Sequence, residues 1–163
     1  MNKIVKLFIT SISAITLALV SFTSSFAKVD GEYIVLGSAI SLTGKYSSNG
    51  VHTQNGYNMA VDRINKMGGV EVQGKKYKFE IIYYDDESNP KRAAQLAERL
   101  IKQDGVHYML GPYSSGLTKA LAQVTEKYKI PMVEANGASW SLFTKGYKYL
   151  FAVLSPANQY LEV

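Results

Sequence analysis

The feature that most constrains the fold of this 163-residue chain is a regular alternation of strand-like and helix-like segments between residues 33 and 154. The strand-like segments are short and rich in β-branched and aromatic residues, whereas the helix-like segments repeat apolar residues at spacings of three and four. Because strands that alternate with helices through short connections run parallel, the order predicts an α/β fold: a three-layer, mostly parallel sheet with helices on both faces. The strand-like segments are 33–40, 70–84 with a turn at Gly74, 106–110, 131–135 and 149–154.

Three helices are predicted between these strands. The first covers residues 51–67 and follows a loop at 41–50. The second begins near Pro90, since proline suits a first helical turn, where no N–H donor is needed. The third follows the loop 111–116. Ligands of parallel sheets bind beyond the carboxyl ends of the strands, so the site is expected in the loops that follow the first four strands. Those loops are 41–50, 85–90, 111–116 and 135–140.

The first 27 residues are predicted to be a cleaved secretory signal peptide. Lys3 and Lys6 form a positive start, and residues 4–20 are mostly apolar. Ser25 and Ala27 place small side chains at the two positions that a signal peptidase reads. A retained membrane anchor is the alternative. The chain has no cysteine, so neither a lipoprotein anchor nor a disulfide framework is available. These features together predict a periplasmic protein.

Charge and titratable residues exclude several classes of function. The net charge of +5 is spread along the chain, whereas a nucleic-acid groove would cluster its basic residues, so no nucleic-acid partner is expected. Asp85 and Asp86 are adjacent on an extended segment, so their side chains diverge, which argues against metal binding. They are expected to lie near the N-terminus of the next helix and to complement its dipole, with one of them ordering neighbouring loops. His107 lies in an apolar strand and is predicted to pack there. No metal, cofactor or catalytic residue is predicted.

The segment "GPYSSGLTK" at 111–119 has the glycine spacing of a phosphate-binding loop. Leu117 stands where that loop requires a lysine, so the helix start is expected to hold a smaller anion, such as a carboxylate. Ser114 or Ser115 either caps the helix or contacts the ligand, and one serine can do both. Tyr46, Tyr113 and Trp140 lie in three of the four loops. They are predicted to form a pocket wall, because aromatic side chains commonly line ligand pockets.

Several segments, in order and spacing, resemble the periplasmic substrate-binding proteins of branched-chain and hydrophobic amino-acid ABC transporters. They read "IVLGSAISLTGKYSSNG", "NGYNMAVDRINKMGGV", "GKKYKFEIIYYDDESNPKRAAQLAERLI", "QDGVHYMLGPYSSG" and "IPMVEANGAS". The resemblance covers nearly all of residues 32–155 and implies the flavodoxin- or Rossmann-like N-terminal lobe of a two-lobed, type I binding protein. It also implies a monomer that binds an amino acid or small carboxylate and delivers it to an ABC permease in the inner membrane.

The resemblance implies roles for individual residues. Ser115 occupies the position that binds the ligand carboxylate, and Asn136 and Ala138 occupy the positions after the fourth strand that bind the ammonium and carboxylate. Ala138 lacks the hydroxyl usual there, which leaves that contact to Ser139 or to backbone N–H groups. Asn49, with Tyr46 nearby, takes the place of a tyrosine that covers the ligand. The predicted ligand-binding residues are Tyr46, Asn49, Tyr113, Ser114, Ser115, Asn136, Ala138 and Ser139.

The predicted organisation is a signal peptide at 1–27, an N-terminal ligand-binding lobe at 28–156, and the start of a crossing to a second lobe at 157–163. Members of the family are more than twice as long, so the chain is expected to be a fragment. Two other functions remain open. One is a ligand-sensing receptor of the same fold. The other is a serine hydrolase that uses Ser114 or Ser115 near His52, although neither serine lies in the G-x-S-x-G pattern of a nucleophile elbow.

Overall fold

The computed structural model describes residues 31–161, so the predicted signal peptide and the last two residues lie outside the described part. The strands are β1 (Tyr33–Ile40), β2 (Val70–Val72), β3 (Lys75–Asp85), β4 (Tyr108–Leu110), β5 (Met132–Glu134) and β6 (Leu150–Ala152). The helices are α1 (Ser47–Lys66), α2 (Pro90–Lys102) and α3 (Ser115–Tyr128). Single 3₁₀ turns occur at Trp140–Leu142 and Ala157–Gln159. Among residues 31–161, no helix is long and apolar enough to cross a membrane.

The six strands form one sheet in the order β2-β3-β1-β4-β5-β6. Every neighbouring pair is parallel except the β2–β3 hairpin, which is antiparallel. The sequence prediction of a mostly parallel sheet with helices on both faces is confirmed. The chain leaves β1 on one side for β3 and then crosses to β4 on the other side, so the strand order reverses beside β1. Crevices at such reversals, at the carboxyl edge, are the usual ligand sites of this architecture.

Helices α2 and α3 cover one face of the sheet and close the main core. Helix α2 buries Ala93, Ala97 and Leu100, and Asn89 caps the helix by accepting from the N–H groups of Lys91 and Arg92. The residues that are fully or almost fully buried in this core come from both helices and from the central strands. They are Ala39, Ala93, Ala97, Leu100, Met109, Leu117, Leu121, Ala122 and Met132.

Helix α1 begins four residues before the predicted start at residue 51. The prediction of a loop through residue 50 was wrong because the polar run Ser47–Gly50 has no apolar periodicity to reveal a helix. Gly50 makes this first turn possible, since a Cβ there would lie 1.8 Å from the carbonyl oxygen of Ser41. The close approach brings the start of α1 directly against the end of β1.

Helix α1 lies on the opposite face of the sheet, where it contacts mainly β3. Its residues Tyr57, Val61 and Ile64 remain only half-buried. Between the helix and the sheet lies an apolar cavity of about 420 Å³. The cavity is lined by Ile34, Leu36, Tyr57, Ala60, Val61, Ile64, Phe79, Tyr108, Met109, Leu110 and Val133.

Candidate functional site

Two groups of loops meet at the carboxyl edge of the sheet. The first, which we call the acidic junction, joins residues 41–46 to residues 85–89. The second, the serine junction, joins residues 111–115 to residues 135–139. The acidic junction contains the adjacent carboxylates at the end of β3, and the serine junction contains the start of α3 and the loop after β5.

At the acidic junction, Asp85 holds the loop that follows β1. Its carboxylate accepts from the N–H groups of Leu42 (2.9 Å) and Thr43 (3.2 Å) and from the Thr43 hydroxyl (2.7 Å). It also accepts from the N–H of Glu87 at 2.9 Å. Burial would raise the pKa of Asp85, but these hydrogen bonds outweigh it and lower the pKa below its ordinary value. The carboxylate is therefore occupied with the protein's own backbone.

Asp86 connects the same two loops through buried hydrogen bonds. It is fully buried, and its Oδ1 accepts from the Ser41 hydroxyl at 2.6 Å and from the Ser88 N–H at 2.7 Å. Desolvation raises the pKa of Asp86 despite these bonds. Ser88 then accepts from the N–H of Tyr46 at 2.9 Å and donates to the carbonyl of Thr43 at 2.8 Å. One of the two aspartates was predicted to order neighbouring loops, and in the structure both do so.

At the serine junction, the start of α3 is capped by Ser114, whose hydroxyl accepts from the Leu117 N–H at 3.4 Å. Ser114 has backbone angles of φ 84° and ψ 142°, a region that favours glycine. The carbonyl of Ser114 accepts from both the N–H and the hydroxyl of Thr118. The N–H groups of Ser115 and Gly116, in the first turn, have no acceptor within the helix, as in every helix start.

Ser115 joins the two loops of the junction. Its hydroxyl oxygen accepts from the N–H of Ser139 at 3.0 Å. Because that bond uses a lone pair of the oxygen, the hydroxyl hydrogen stays available for donation to another acceptor. The structure thus brings together one predicted residue from each loop, Ser115 and Ser139. A hydroxyl donor beside free N–H groups at a helix start is suited to an anion such as a carboxylate.

The loop after β5 depends on Glu134, a residue that the sequence prediction missed. Glu134 is fully buried, and its Oε2 accepts from the N–H of Asn136 at 3.0 Å and from the N–H of Gly137. Desolvation raises the pKa of Glu134, against the lowering effect of the two N–H groups. A charged residue inside the short buried strand "PMVEA" was the available signal, because buried carboxylates are rare without a partner.

Tyr57 supports the serine junction from the other face of the sheet. Its hydroxyl donates to the carbonyl of Gly111 at 2.7 Å, at the point where the loop leaves β4. Burial, followed by the nearby charge of Glu134 and by Tyr83, raises the pKa of Tyr57 far above its ordinary value. The phenol therefore stays a hydrogen-bond donor at any ordinary pH.

The predicted aromatic wall is present in part. The rings of Tyr46 and Tyr113 lie 5.8 Å apart between centroids and are tilted by 58°, which joins the acidic junction to the serine junction. The ammonium of Lys45 lies 5.2 Å from the centre of the Tyr46 ring. Trp140 is 51% exposed and opens the 3₁₀ turn that follows Ser139.

The other predicted residues lie nearby without specific side-chain contacts to this pair of serines. Asn49 is exposed in the first turn of α1, where its carbonyl accepts from the Thr53 hydroxyl. The carbonyl of Ala138 accepts from the N–H of Ala157 at 2.7 Å. His52 is exposed on α1, whereas His107 is buried and its Nδ1 accepts from the N–H of Val35 at 3.0 Å, as predicted for a packed histidine.

Neither of two prominent concave regions includes the predicted ligand residues. One is the apolar cavity beneath α1, and the other is a depression of about 620 Å³ along residues 58–67 of that helix. The serine junction is instead an open wall at the edge of the sheet.

The chain is similar to known binding proteins. A family model described as "Periplasmic binding protein" matches residues 34–162. The chain is 29% identical over 139 residues to the Leu/Ile/Val-binding protein BraC3 of Rhizobium johnstonii, covering 85% of this chain and 36% of that protein. The chain therefore spans about a third of the length of this relative.

Solved structures give the same result. The substrate-binding protein LivJ of a branched-chain amino acid transporter from Streptococcus pneumoniae, in complex with isoleucine, has a TM-score of 0.68 and 31% identity over 76% of this chain and 34% of its own. A solute-binding protein of an ABC transporter from Rhodopseudomonas palustris, in complex with 3,4-dihydroxy benzoic acid, has a TM-score of 0.63 and 26% identity. That match covers 75% of this chain and 32% of the other.

Proposed function

The chain belongs to the periplasmic binding protein family, and from that premise we propose that it forms the N-terminal lobe of a solute receptor for an ABC importer. Residues 1–27 direct export to the periplasm, residues 28–156 form the lobe, and residues 157–163 lead towards a second lobe. The ligand is an amino acid or a related small carboxylate, held between the two lobes and passed to a permease in the inner membrane. The receptor acts as a monomer and is not an enzyme.

One observation carries the proposal. The Ser115 hydroxyl accepts from the Ser139 N–H at 3.0 Å and so keeps its own hydrogen for a ligand oxygen. This hydroxyl lies at the start of a 14-residue helix, where the dipole and the free N–H groups favour negative charge. A carboxylate has two oxygens and can use both kinds of donor.

The surroundings support a small ligand with an apolar or aromatic part. Tyr46 and Tyr113 pack with tilted rings at the same end of the sheet and offer a wall beside the donors. Relatives bind ligands of both kinds: isoleucine in one solved structure and 3,4-dihydroxy benzoic acid in another. Both of these ligands carry a carboxylate.

Calorimetric titration of the complete gene product, purified as encoded, tests the proposal. The panel is L-isoleucine, L-leucine and 3,4-dihydroxybenzoic acid, and we expect saturable binding of at least one. The methyl ester of the ligand that binds should bind far more weakly, because esterification removes the negative charge. Ser115→Ala should weaken binding roughly ten- to hundredfold, since a hydrogen bond to a charged group contributes about 1.5–3 kcal/mol.

The matched control is Gln103→Ala, which removes a polar side chain just after α2, at the opposite edge of the sheet. This variant should bind like the wild type. Absence of binding to all three compounds would refute the proposal, as would a Ser115→Ala variant that binds as tightly as Gln103→Ala.

A further inference from the structure

Glu134 is a fully buried acid at the end of β5. It belongs to none of the sequence motifs described above and is not among the predicted ligand-binding residues. Along this strand, Met132 and Glu134 are fully buried while Val133 is 41% exposed. Val133 faces the cavity beneath α1. Successive residues of a strand point to opposite faces, so the Glu134 side chain points to the α2 and α3 face, beneath the serine junction.

Among the residues that the structure describes, no cation forms an ion pair with this carboxylate. Within residues 31–161, the two ion pairs are Arg92–Glu87 and Lys127–Glu98, and neither reaches Glu134. Burial of a carboxylate without a partner cation is costly, and the rise in the pKa of Glu134 has this cause. An apolar residue would serve a purely packing role at less cost, so the acid needs another explanation.

The hydrogen bonds of Glu134 provide that explanation. Its Oε2 accepts from two successive N–H groups, those of Asn136 and Gly137, and so bends the loop around the carboxylate. Its Oε1 is buried and has no hydrogen-bond partner among the described residues. The loop then continues to Ser139, whose N–H meets the Ser115 hydroxyl.

Both loops of the serine junction pass very close to this side chain. A Cβ added at Gly111 would lie 2.7 Å from the Cβ of Glu134. A Cβ added at Gly137 would lie 2.8 Å from Oε2 and 2.9 Å from the hydroxyl of Thr118. Two glycines thus allow the loops to close over Glu134, and Thr118 links the same place to the first turn of α3 through the Ser114 carbonyl.

We propose that Glu134 is a positioning residue of the binding site, which bends residues 135–139 so that the Ser139 N–H reaches the Ser115 hydroxyl. Glu134 does not touch the ligand. It acts through the loop: without it, the Ser115 hydroxyl loses the neighbour that orients it, and the donors no longer converge on one ligand oxygen. The effect on affinity rests on the proposed function, whereas the effect on the loop does not.

The experiment compares Glu134→Ala, Glu134→Gln and a control, Leu100→Ala, in the complete gene product. Leu100 lies on α2 and is fully buried in the core, so its replacement lowers stability without touching the junction. Amide hydrogen exchange is measured at Asn136, Gly137 and Ser139, relative to core amides in β1. We expect Glu134→Ala to speed exchange of these three amides at least tenfold relative to the core.

Glutamine keeps an acceptor oxygen of the same reach, so Glu134→Gln should restore protection to within about threefold of the wild type. This variant also keeps the test decisive if Glu134→Ala fails to fold. Leu100→Ala should speed exchange of loop and core alike. Equal acceleration of loop and core in Glu134→Ala, or loop exchange in Glu134→Gln as fast as in Leu100→Ala, would overturn the proposal.

The second measurement is the affinity for L-isoleucine. If the wild type binds it, Glu134→Ala should bind at least tenfold more weakly, while Glu134→Gln and Leu100→Ala stay within threefold. Unchanged affinity in Glu134→Ala would overturn the positioning role in binding. If the wild type binds none of the panel compounds, the proposed function fails, and the exchange measurement alone decides whether Glu134 bends the loop.

Discussion

The acidic junction and the serine junction lie side by side at one edge of the sheet but use their polar groups differently. The Asp85 carboxylate and the Oδ1 of Asp86 accept from neighbouring N–H and hydroxyl groups and so hold loop 41–46. The Oδ2 of Asp86 is buried and has no partner among the described residues. The serine junction keeps donors available at Ser115 and in the first turn of α3. The difference shows that residue type alone does not mark a site. The acid-rich segment builds the scaffold, and the neutral serines are the residues that we propose to face the ligand.

The largest expected loss of stability follows from removal of the Asp86 carboxylate. Asp86→Ala would leave the buried Ser41 hydroxyl and the Ser88 N–H without their acceptor. We expect the free energy of unfolding to fall by about 2–4 kcal/mol, because each buried group left unpaired costs about 1–3 kcal/mol. Urea unfolding measures this change.

Asp86→Asn is the matched control, because its amide oxygen can accept from the same two groups. It should lose less than half of what Asp86→Ala loses. A loss below about 0.5 kcal/mol in Asp86→Ala would mean that the acidic junction does not support the fold.

The stabilising effect of Asp85 is expected to depend on pH. Its pKa is lowered in the folded protein, so its contribution is present above the ordinary carboxyl pKa and is lost as the pH falls through the lower, folded value. Asp85→Asn should therefore be less stable than the wild type by about 1 kcal/mol at pH 6, since its network is partly exposed. The difference should shrink steadily below about pH 4.

The measurement is the wild-type stability minus the variant stability at each pH, from chemical unfolding between pH 3 and pH 7. The subtraction matters because the pKa values of Asp86 and Glu134 are raised, and these two groups lose stabilising effect as the pH rises. A difference that stays constant over the whole range would show that the Asp85 charge has no part in holding the loop.

Most of the scaffold could be predicted from the sequence because its signals are local. Strand β1 was predicted with its observed bounds, and the Asn89 cap with Pro90 at the start of α2 follows from short-range chemistry. The start of α1 was not predictable in this way. Its first turn is polar, and the constraint that places it is a contact between Gly50 and the Ser41 backbone.

For the candidate site, the sequence predicted its location at the carboxyl edge of the sheet but not the contacts that form it. The pattern indicated which loops meet, and the structure brings Ser115 to Ser139 and Tyr46 to Tyr113. The role of Glu134 could not be read from the sequence, because it depends on N–H groups that turn back towards a buried carboxylate. Whether the eight predicted residues bind a ligand stays a prediction.

The smallest expected effect on stability comes from the strained backbone at Ser114. Ser114, at the serine junction, has φ 84° and ψ 142°, which glycine adopts far more easily than other residues, and its capping bond to Leu117 is long at 3.4 Å. Ser114→Gly should therefore be more stable than Ser114→Ala by about 1–2 kcal/mol. Thermal unfolding of the two variants measures the difference.

Gln73 provides the control, because it has φ 53° in the β2–β3 turn, within the left-handed region that ordinary residues tolerate at lower cost. The gain of Gln73→Gly over Gln73→Ala should be smaller, at about 0.5–1 kcal/mol. A gain at Ser114 no larger than at Gln73 would remove strain as a distinguishing property of the serine junction. A larger gain, together with weaker ligand binding by Ser114→Gly, would mean that the strained backbone holds the binding geometry at a cost in stability.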